Sequence, residues 1–483
     1  MSMNEKEFVK EVTPRAEDFS QWYLDLVLKT ELMDYAPVKG CMAIRPYGYA
    51  IWENMKELLD QRIKATGHQN AYFPLFIPES LLQKEAEHVE GFAPEVALVT
   101  RGGNEKLSER LVVRPTSEAI ICSMYAKWVQ SWRDLPLLIN QWCNVVRWEK
   151  TTRPFLRTSE FLWQEGHTVH CTEEEAEEEA LKMLGVYKDF VESELAIPVI
   201  SGLKTEREKF AGALHTYTIE ALMADGRALQ AGTSHNLGQH FSRVFDIQYL
   251  DKDKQLKYAW QTSWGVSTRL IGAIIMVHGD DRGLRLPPQV APLQVVVIPI
   301  ITKKKREEVL QKCQAIIGEL AENVRVHLDK REEYSAGWKF NEWEMKGVPL
   351  RLEVGPRDLE QGVVSVVRRD TGERSTISAE DLSRQISLLL KDIQNNLFRQ
   401  AREFQEKNTY RVHNYQEFQE VLQEKKGFLQ GFWCGTSNCE EEIKNETKAT
   451  IRCIPLGPEQ KETGPCLFCG NKEGKIVYFA RAY

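Results

Sequence analysis

No part of this chain restricts its possible folds as tightly as residues 143–167, CNVVRWEKTTRPFLRTSEFLWQEGH. The two ends are rich in β-branched and aromatic residues, which favour strands, and a polar loop joins them. Because residues two apart share one face of a strand, Arg147 and Glu149 point the same way. The returning strand places three more side chains on one face: Phe161, Trp163 and Glu165. The segment therefore predicts a strand, a loop and a returning strand whose face mixes charge with aromatic rings.

The charged residues of this segment have two interpretations. A surface ion pair between Arg147 and Glu149 would contribute little to stability. However, the loop adds Arg153 and Arg157 without matching acids. Guanidinium groups donate to phosphate oxygens in pairs, so this excess of arginine favours a site that holds a triphosphate.

The chain of 483 residues is longer than one hydrophobic core supports, so about two to four domains are expected. Hydrophobic residues make up 42% and charged residues 28%, which is typical of globular proteins and excludes a largely disordered chain. The net charge of -7 argues against a protein that coats nucleic acid through a dominant positive field. Basic residues group at 303–306 and 368–369, which fits either a local nucleic-acid contact or a solvated surface.

The sequence contains no apolar run long enough to span a membrane, and residues 1–20 carry charges where a signal peptide has its apolar run. The expected location is therefore cytoplasmic, with no membrane partner. In that reducing compartment, cysteines that do not cluster are expected to be free thiols. They are Cys41, Cys122, Cys143, Cys171, Cys313 and Cys453.

The first part of the chain is expected to be one long helix followed by a series of strands. Apolar residues recur at helical spacing from 47 to 64, and an extended stretch with Pro74 and Pro78 follows. Proline cannot donate to a central ladder, so this stretch is expected at a sheet edge or an interface. An acidic helix after Thr172 is most simply a solvated face. Strands that indicate an antiparallel sheet are predicted at 111–114, 137–147, 159–169, 215–224 and 241–249.

The pattern changes after residue 288, where strands alternate with helices. One of these helices is predicted from Thr302 to Leu320. This alternation indicates a separate α/β domain near residues 290–395. A long polar helix at about 382–407 then leads into the last segment.

Four cysteines cluster in that last segment. Cys434 and Cys439 have four residues between them, and Cys466 and Cys469 have two. Two such pairs in a cytosolic protein predict a tetrahedral thiolate site for Zn²⁺. The site is expected to be structural, because the protein supplies all four ligands. Cys453 is an alternative ligand.

Residues 143–167 resemble motif 2 of the class II aminoacyl-tRNA synthetases, the strand, loop and strand that bind ATP. Residues 47–78 resemble motif 1, which forms dimers, and residues 263–288, with Arg269, resemble motif 3. The three motifs occur in the order of that family. The resemblance implies an α/β (α+β) chain with an antiparallel sheet flanked by helices, a homodimer, and an enzyme that uses ATP with Mg²⁺.

Two further segments, VVRPTSEAI at 112–120 and GTSHNLGQHF at 232–241, resemble the substrate loops of prolyl-tRNA synthetases. The resemblance implies that the chain activates L-proline to prolyl-adenylate and transfers it to tRNA(Pro), with Arg147 and Arg269 as catalytic residues. It implies that proline is bound by Thr116, Glu118, Arg147, Phe161, Trp163, His167 and His235. It implies that ATP is bound by Arg147, Glu149, Arg157, Gln230, Thr233, Ser267 and Arg269.

The chemistry of proline suits these residues. A protonated proline nitrogen offers two N–H donors, so one carboxylate and one hydroxyl or carbonyl satisfy it. The apolar ring suits an aromatic wall. His167 and His235 could equally be packed neutral imidazoles, so they are assigned to binding and not to proton transfer.

Residues 337–373 resemble the anticodon-binding domain of prolyl-tRNA synthetases. The implied anticodon contacts are Glu344, Lys346, Arg351 and Glu353. The tail, ending in VYFARAY, resembles the zinc-bearing C-terminal domain of the archaeal and eukaryotic type, in which the terminal tyrosine turns back toward the catalytic domain. The expected domains are a catalytic domain at 1–288, an anticodon-binding domain at 289–395 and a zinc domain at 396–483.

Too few residues lie between His167 and Gln230 for the editing insertion that bacterial-type relatives use against mischarged alanine. The chain is therefore expected to lack editing in cis. Two alternatives stay open from sequence. One is a synthetase for threonine, histidine or glycine, and the other is a synthetase-like tRNA-binding or regulatory protein without aminoacylation activity.

Overall fold

The computed structural model describes residues 12–86 and 95–483. Within them, the helices are α1 Phe19–Lys29, α2 Pro46–Ala65, α3 Glu79–Ala86, α4 Glu118–Trp128, α5 Glu173–Ser193, α6 His240–Phe245, α7 Arg269–His278, α8 Arg306–Leu320, α9 Ala336–Met345, α10 Pro356–Gln361, α11 Leu382–Lys407, α12 Tyr415–Glu424 and α13 Ser437–Thr447. The strands are β1 Met33–Tyr35, β2 Met42–Ile44, β3 Gln69–Asn70, β4 Phe76–Pro78, β5 Leu98–Gly102, β6 Glu105–Val113, β7 Leu137–Val146, β8 Glu160–His170, β9 Val199–Leu203, β10 His215–Leu222, β11 Ala228–Gly238, β12 Gln248–Leu250, β13 Leu256–Tyr258, β14 Trp260–Ser267, β15 Val295–Pro299, β16 Val326–Leu328, β17 Leu350–Val354, β18 Val363–Arg368, β19 Arg374–Ser378, β20 Thr409–Arg411, β21 Phe428–Trp433, β22 Thr450–Pro455, β23 Thr463–Gly464 and β24 Gly474–Ala480. Among the described residues, no helix is both long and apolar enough to cross a membrane.

The largest sheet contains 12 strands and runs through two parts of the chain. Its path is β20-β21-β24-β22-β9-β10-β11-β14-β8-β7-β3, with β23 beside β24. Along this path, each neighbouring pair from β7 through β8, β14, β11 and β10 to β9 is antiparallel, as the sequence predicts. β9 pairs with β22, so the sheet continues from residues 69–267 into residues 409–480.

Helix α2 confirms the helix predicted at 47–64. Pro46 occupies its first turn, where the fixed φ of proline suits a helix and its missing N–H costs nothing. Ile51, Met55 and Leu59 recur at helical spacing on its buried face. Gly67 follows the helix with a φ of +92°, a conformation that favours glycine.

Helix α5 is the predicted acidic helix. The Thr172 hydroxyl accepts a hydrogen bond from the Glu175 amide at 3.2 Å, and acidic residues in the first turn complement the positive end of the helix dipole. Met183 and Tyr187 belong to the opposite, buried face, which packs on the large sheet. The helix therefore closes one side of the core, and most of its carboxylates face solvent.

Strand β4 contains Pro78 and lies, as predicted, at the edge of a sheet; this small sheet is ordered β4-β6-β5. Edge strands tolerate proline because one row of their N–H groups is unpaired. Two exposed aromatic side chains, Tyr72 and Phe76, lie in this part of the chain.

Residues 295–378 form a separate five-stranded sheet in the order β16-β15-β17-β18-β19. β15 pairs in parallel with β16 and β17, and the remaining pairs are antiparallel. The predicted α/β organisation is therefore confirmed. The Arg369 guanidinium donates to both carboxylate oxygens of Asp280, at 2.6 and 2.8 Å, and so ties this unit to the segment after α7.

The strand predicted at 241–249 is wrong over its first half. Residues 240–245 form helix α6, and strand β12 covers only Gln248–Leu250. Phe241 and Phe245 suggest a strand by composition, but their spacing of four places both on the buried face of a helix. The helix predicted from Thr302 also starts later, at Arg306.

Candidate active site

A cavity of about 330 Å³ opens on one face of the large sheet. Strand register places His167, Ser263, His235 and Thr216 side by side across β8, β14, β11 and β10. The next row holds Glu165, Gly265 and Thr233. Because residues two apart share a strand face, β8 contributes four side chains to the cavity: Phe161, Trp163, Glu165 and His167. The mixed charged and aromatic face predicted for the returning strand is therefore confirmed. The first strand, β7, ends at Val146, so Arg147 and Glu149 lie just beyond the strand that was predicted to hold them.

Thr116 and Glu118 also line this cavity, which is named the smaller cavity because a larger one lies beside it. Glu118 is the first residue of α4, where the helix dipole favours a carboxylate. Both side chains are buried, and the Thr116 hydroxyl donates to the Glu118 carboxylate. The pair offers one anionic acceptor and one hydroxyl at the same point, which suits an ammonium group.

Arg147 lies where the smaller cavity meets a larger one of about 600 Å³. Its Nε donates to the Pro115 carbonyl at 3.0 Å, and its guanidinium lies 5.6 Å and 5.5 Å from the ring centroids of Phe161 and Trp163. Burial lowers the pKa of Arg147. The negative charges of Glu118 and other nearby carboxylates oppose this shift. The hydrogen bond and the two rings fix the guanidinium at the boundary between the cavities.

Glu165 is paired with His167 at 2.9 Å inside the smaller cavity. It also accepts hydrogen bonds from Ser117 and Gln141. Burial alone would raise the pKa of Glu165, but these partners lower it below its usual value. Burial would lower the pKa of His167, but the hydrogen bond and charge of Glu165 raise it. The pair is therefore an ionised unit that keeps one edge of the cavity polar.

His235 is buried in the same row of the sheet, beside Ser263, and its imidazole is neutral. Burial, with His167 nearby, lowers the pKa of His235 to about 3. The Thr216 hydroxyl accepts from the Phe210 amide at 2.9 Å and lies 2.9 Å from His235 Nδ1. This arrangement favours a proton on Nε2. The Phe210 ring packs on the imidazole with centroids 4.8 Å apart.

The larger cavity is lined by several arginines. Arg269 begins α7, and its Nε donates to the Leu156 carbonyl at 3.3 Å. Burial lowers the pKa of Arg269, and the like charges of Arg147 and Arg157 lower it further. Arg157 is paired with Glu149 at 2.8 Å. Grouped guanidinium groups in a cavity are stabilised by an anionic ligand.

The two cavities divide the predicted nucleotide residues. Glu149, Arg157, Ser267 and Arg269 line the larger cavity, and Ser267 and Arg269 also line the smaller one. Gln230 and Thr233 line the smaller cavity from β11. All seven residues predicted to bind proline line the smaller cavity.

Sequence reasoning did not select several residues that the fold brings to these cavities. Glu165 is flagged only by its strand period, and Ser263 only by its place in motif 3. The Ser263 hydroxyl has no hydrogen-bond partner within residues 12–86 and 95–483. The loop that contributes Glu208, Lys209 and Phe210 carries no motif that could have identified it.

Tyr483 packs against the catalytic part of the molecule, as the resemblance implies. Its hydroxyl donates to Asp225 at 2.7 Å, and its ring lies between the guanidinium groups of Arg153 and Arg227. The ring forms part of the larger cavity's wall. Tyr483 therefore lines the same larger cavity as the loop of motif 2.

The four residues predicted to bind the anticodon do not all meet. Glu344 and Arg351 line one cavity of about 140 Å³. Glu353 is buried between Arg351 and Arg374. Lys346 is paired with Glu31 of the catalytic part at 3.0 Å, and with Glu342.

The clustered cysteines do meet. The sulfur atoms of Cys434, Cys439, Cys466 and Cys469 all lie within 4.8 Å of one another. A tetrahedral zinc ion with Zn–S bonds of about 2.3 Å separates its sulfur ligands by about 3.8 Å. The distance between Cys434 Sγ and Cys439 Sγ is 3.6 Å, so the donor set fits such an ion. Cys453 is buried elsewhere, against Gly202.

Comparison with known proteins agrees with this geometry. The tRNA synthetase class II core domain (G, H, P, S and T) matches residues 100–278, an anticodon binding domain matches residues 294–388, and the prolyl-tRNA synthetase C-terminal domain matches residues 415–483. The fold and the site thus define a class II aminoacyl-tRNA synthetase.

Full-length relatives narrow the class. The chain is 65% identical to a proline–tRNA ligase of Natranaerobius thermophilus and 60% identical to one of Alkaliphilus oremlandii, over 100% of each chain. A crystal structure of prolyl-tRNA synthetase from Cryptosporidium parvum, complexed with halofuginone and AMPPNP, has a TM-score of 0.93 and 43% identity. That match covers 98% of this chain and 100% of the other. The chain belongs to the prolyl-tRNA synthetases, enzymes that ligate proline to tRNA. Residues 168–229 fold as the end of β8, α5, β9, β10 and the start of β11, with no inserted editing domain.

Proposed function

We propose that the chain makes prolyl-adenylate from L-proline and ATP at the junction of the two cavities, and then charges tRNA(Pro). The smaller cavity is the proline pocket and the larger one holds the nucleotide. The observation that supports this division is the position of Arg147, which lines both cavities. A guanidinium there can donate to the proline carboxylate and to the α-phosphate at once.

Proline fits the smaller cavity through its two functional groups. The ammonium group meets the Glu118 carboxylate and the Thr116 hydroxyl, and the carboxylate points to Arg147. The ring packs against Phe161 and Trp163, beside the neutral imidazole of His235. The apolar ring of proline needs no further hydrogen-bond partner. Its burial against aromatic side chains contributes to the affinity for proline.

ATP occupies the larger cavity, with Arg157 and Arg269 donating to its phosphates. Fixed cations here offset the charge that develops on the α-phosphate oxygens as the proline carboxylate attacks in line. Glu149 and Ser267 add polar groups to the wall of the larger cavity, and Gln230 and Thr233 face the nucleotide from the smaller cavity. The AMPPNP bound to the Cryptosporidium parvum enzyme is a nucleotide of this class, which supports the assignment.

Mg²⁺ is proposed to accompany the nucleotide. Magnesium prefers phosphate oxygens with one or two carboxylates, and Glu149 supplies a carboxylate at the larger cavity. When bound, the ion would offset phosphate charge. Glu149 also holds Arg157, so the same side chain orients a guanidinium for the nucleotide.

Amino-acid-dependent exchange of pyrophosphate into ATP tests the proposal. The purified chain is expected to catalyse exchange with L-proline and to give blank rates with threonine, histidine and glycine. Exchange that depends on one of those three would favour another synthetase. No exchange with any amino acid would favour a binding or regulatory protein that lacks the chemistry.

We also propose that the four clustered cysteines hold a structural Zn²⁺, because their spacing fits a tetrahedral thiolate site. The protein supplies every ligand, so the ion would stabilise the C-terminal domain and leave the reaction to the catalytic residues. Metal analysis of the purified protein is expected to give about one zinc per chain. A Cys466→Ala variant without loss of zinc would contradict this assignment.

A homodimer is proposed because residues 47–78 resemble motif 1. Its proposed location is the cytoplasm. Exposed aromatic side chains at Tyr72 and Phe76 lie in that motif, and exposed apolar patches of this kind are typical of interfaces. Light scattering should give about twice the chain mass of 55.7 kDa. A mass equal to one chain would contradict the dimer.

The second domain is proposed to read the tRNA(Pro) anticodon. Glu344 and Arg351 share a cavity, which suits hydrogen bonds to an unstacked base. Glu353 holds Arg351 in place, and Lys346 holds the two domains together. The proposed domains remain 1–288, 289–395 and 396–483.

A further inference from the structure

The loop that covers one side of the smaller cavity is tied to a different domain. This loop, residues 204–214, connects β9 to β10 and contributes Glu208, Lys209 and Phe210 to the cavity wall. The Phe210 ring packs on His235, and its amide donates to Thr216. A displacement of the loop would therefore remove one wall of the cavity.

Helix α13 of the C-terminal domain contacts this loop through three polar pairs. The Thr205 hydroxyl donates to the Glu440 carboxylate at 2.7 Å, and both side chains are buried. Arg207 is paired with Glu441 at 2.8 Å. The two other partners, Lys444 and Glu208, lie 3.3 Å apart.

The start of the loop is held by the same domain. Lys204 Nζ donates to Glu220 at 2.7 Å and to the Arg452 carbonyl at 2.8 Å. Arg452 completes a buried ion cluster with Glu220 at 2.9 Å. Charges that are removed from water keep their geometry only when each has a partner, so this cluster fixes the relative position of the two domains.

The helix itself is anchored on its other side. Cys439, one of the four clustered cysteines, precedes Glu440 in α13. Ile443 of the same helix is buried in the core of the C-terminal domain. The carboxylates that hold the loop therefore project from a helix that is packed into the core of its own domain.

We propose that helix α13 positions the loop 204–214 for proline binding, with Thr205 and Glu440 as positioning residues. The inference rests on the proposed function of the smaller cavity. Because the loop is already ordered, its conformational entropy is lost before proline binds. This pre-organisation strengthens the binding of proline without altering the chemical step. None of the residues Thr205, Glu440, Glu441 and Lys444 lines the smaller cavity.

The test compares Thr205→Val, which removes the hydroxyl at constant size, with Thr205→Ser, which keeps it. In pyrophosphate exchange, Thr205→Val should raise the KM for proline about tenfold, equivalent to about 1.4 kcal/mol. The kcat and the KM for ATP should stay within about twofold of the original values, because the variant loses uniform binding only. Thr205→Ser should restore the KM for proline.

A second variant avoids the buried site. The exposed pairs are removed together in Glu441→Gln/Lys444→Gln, which should raise the KM for proline in the same selective way. Glu446→Gln is the matched control, because Glu446 accepts from Tyr415 within the C-terminal domain and does not touch the loop. Its kinetic constants should be unchanged.

Loop order is measured separately by limited digestion with trypsin, which cleaves after Arg207 and Lys209. Cleavage should be several times faster in Thr205→Val, and proline should slow it. A Thr205→Val protein with the original KM for proline and the original cleavage rate would overturn the inference, as would an equal loss of proline and ATP binding. No proline-dependent exchange by the unsubstituted chain would instead overturn the proposed function, and this inference with it.

Discussion

Glu165 has two tasks in the smaller cavity. It holds the His167 imidazole at 2.9 Å, and it accepts from Ser117 and Gln141, which lie on the segment before α4 and on β7. Removing one member of a buried ion pair leaves the other uncompensated, which costs more than the pair contributes. Loss of the Glu165 carboxylate would therefore leave the buried His167 imidazole without its partner.

The raised pKa of His167 predicts how stability depends on pH. A histidine whose pKa is raised by folding stabilises the native state below its unfolded value, which lies near 6.5, and this contribution is lost as pH rises through the folded value. The free energy of unfolding should therefore fall as the pH rises from about 6.5 through the raised pKa of His167. His167→Gln should remove this part of the pH dependence, measured by chemical denaturation at several pH values.

His413→Gln is the control for this measurement, because His413 is exposed in the C-terminal domain. Its pH dependence should match that of the unsubstituted chain. If His167→Gln keeps the full fall in stability with pH, the ion pair with Glu165 is not formed in the native state.

At the level of secondary-structure elements, the close approach of β8 and β14 depends on Gly166. A Cβ at this position would lie 2.1 Å from the Trp264 ring, which packs in turn on His68 and Tyr187. Trp264 also lines the smaller cavity. The glycine thus allows a large aromatic side chain to support the floor of the site.

Gly166→Ala is expected to destabilise the fold by about 1–3 kcal/mol, because overpacking forces Trp264 to move. Proline-dependent exchange should fall with it. The matched control is Gly185→Ala on helix α5, where an added Cβ would meet no atom within 4 Å. That change should stabilise the protein by about 0.5–1 kcal/mol in thermal unfolding, as alanine does within helices. Equal stabilities for the two variants would contradict the packing described.

Sequence predicted the elements that carry strong local signals. Helix α11 has the predicted bounds, 382–407, because its apolar stripe and polar face repeat over many turns. Helix α6 was missed because two phenylalanines in a short segment favour a strand by composition. The loop 204–214 was missed as well, since polar loops reveal their role only through what they contact.

On the scale of the whole molecule, one sheet joins the catalytic and C-terminal domains through β9 and β22. No local pattern predicts this pairing, because the two strands are far apart in the chain and β22 forms only two register pairs with β9. The seven residues of the proposed proline pocket were predicted from motifs. Phe161, Trp163, His167 and His235 meet through the register of β8, β14 and β11, whereas Thr116, Glu118 and Arg147 lie outside these strands. Tyr483 gains its place at the larger cavity from the same continuous sheet.

The whole fold also predicts an error of the enzyme. Residues 168–229 contain no inserted domain, so a mischarged product meets no editing site in this segment. A pocket discriminates against alanine by missing methylenes worth only about 1–3 kcal/mol each. Alanine-dependent pyrophosphate exchange should therefore exceed the blank rate, and alanyl-tRNA(Pro) should accumulate. An alanine rate equal to the blank would mean that the pocket excludes alanine by another device.

The Arg147 guanidinium is proposed to join the proline carboxylate to the nucleotide phosphate. Pyrophosphate exchange by Arg147→Ala tests it most directly, beside Arg133→Ala, whose exposed side chain lies over Trp132 away from both cavities. Loss of a fixed cation at developing charge costs about 10²–10³-fold in kcat, so exchange by Arg147→Ala should fall at least that far with thermal stability retained. Exchange by Arg133→Ala should be unchanged. Undiminished exchange by a folded Arg147→Ala protein would contradict the account.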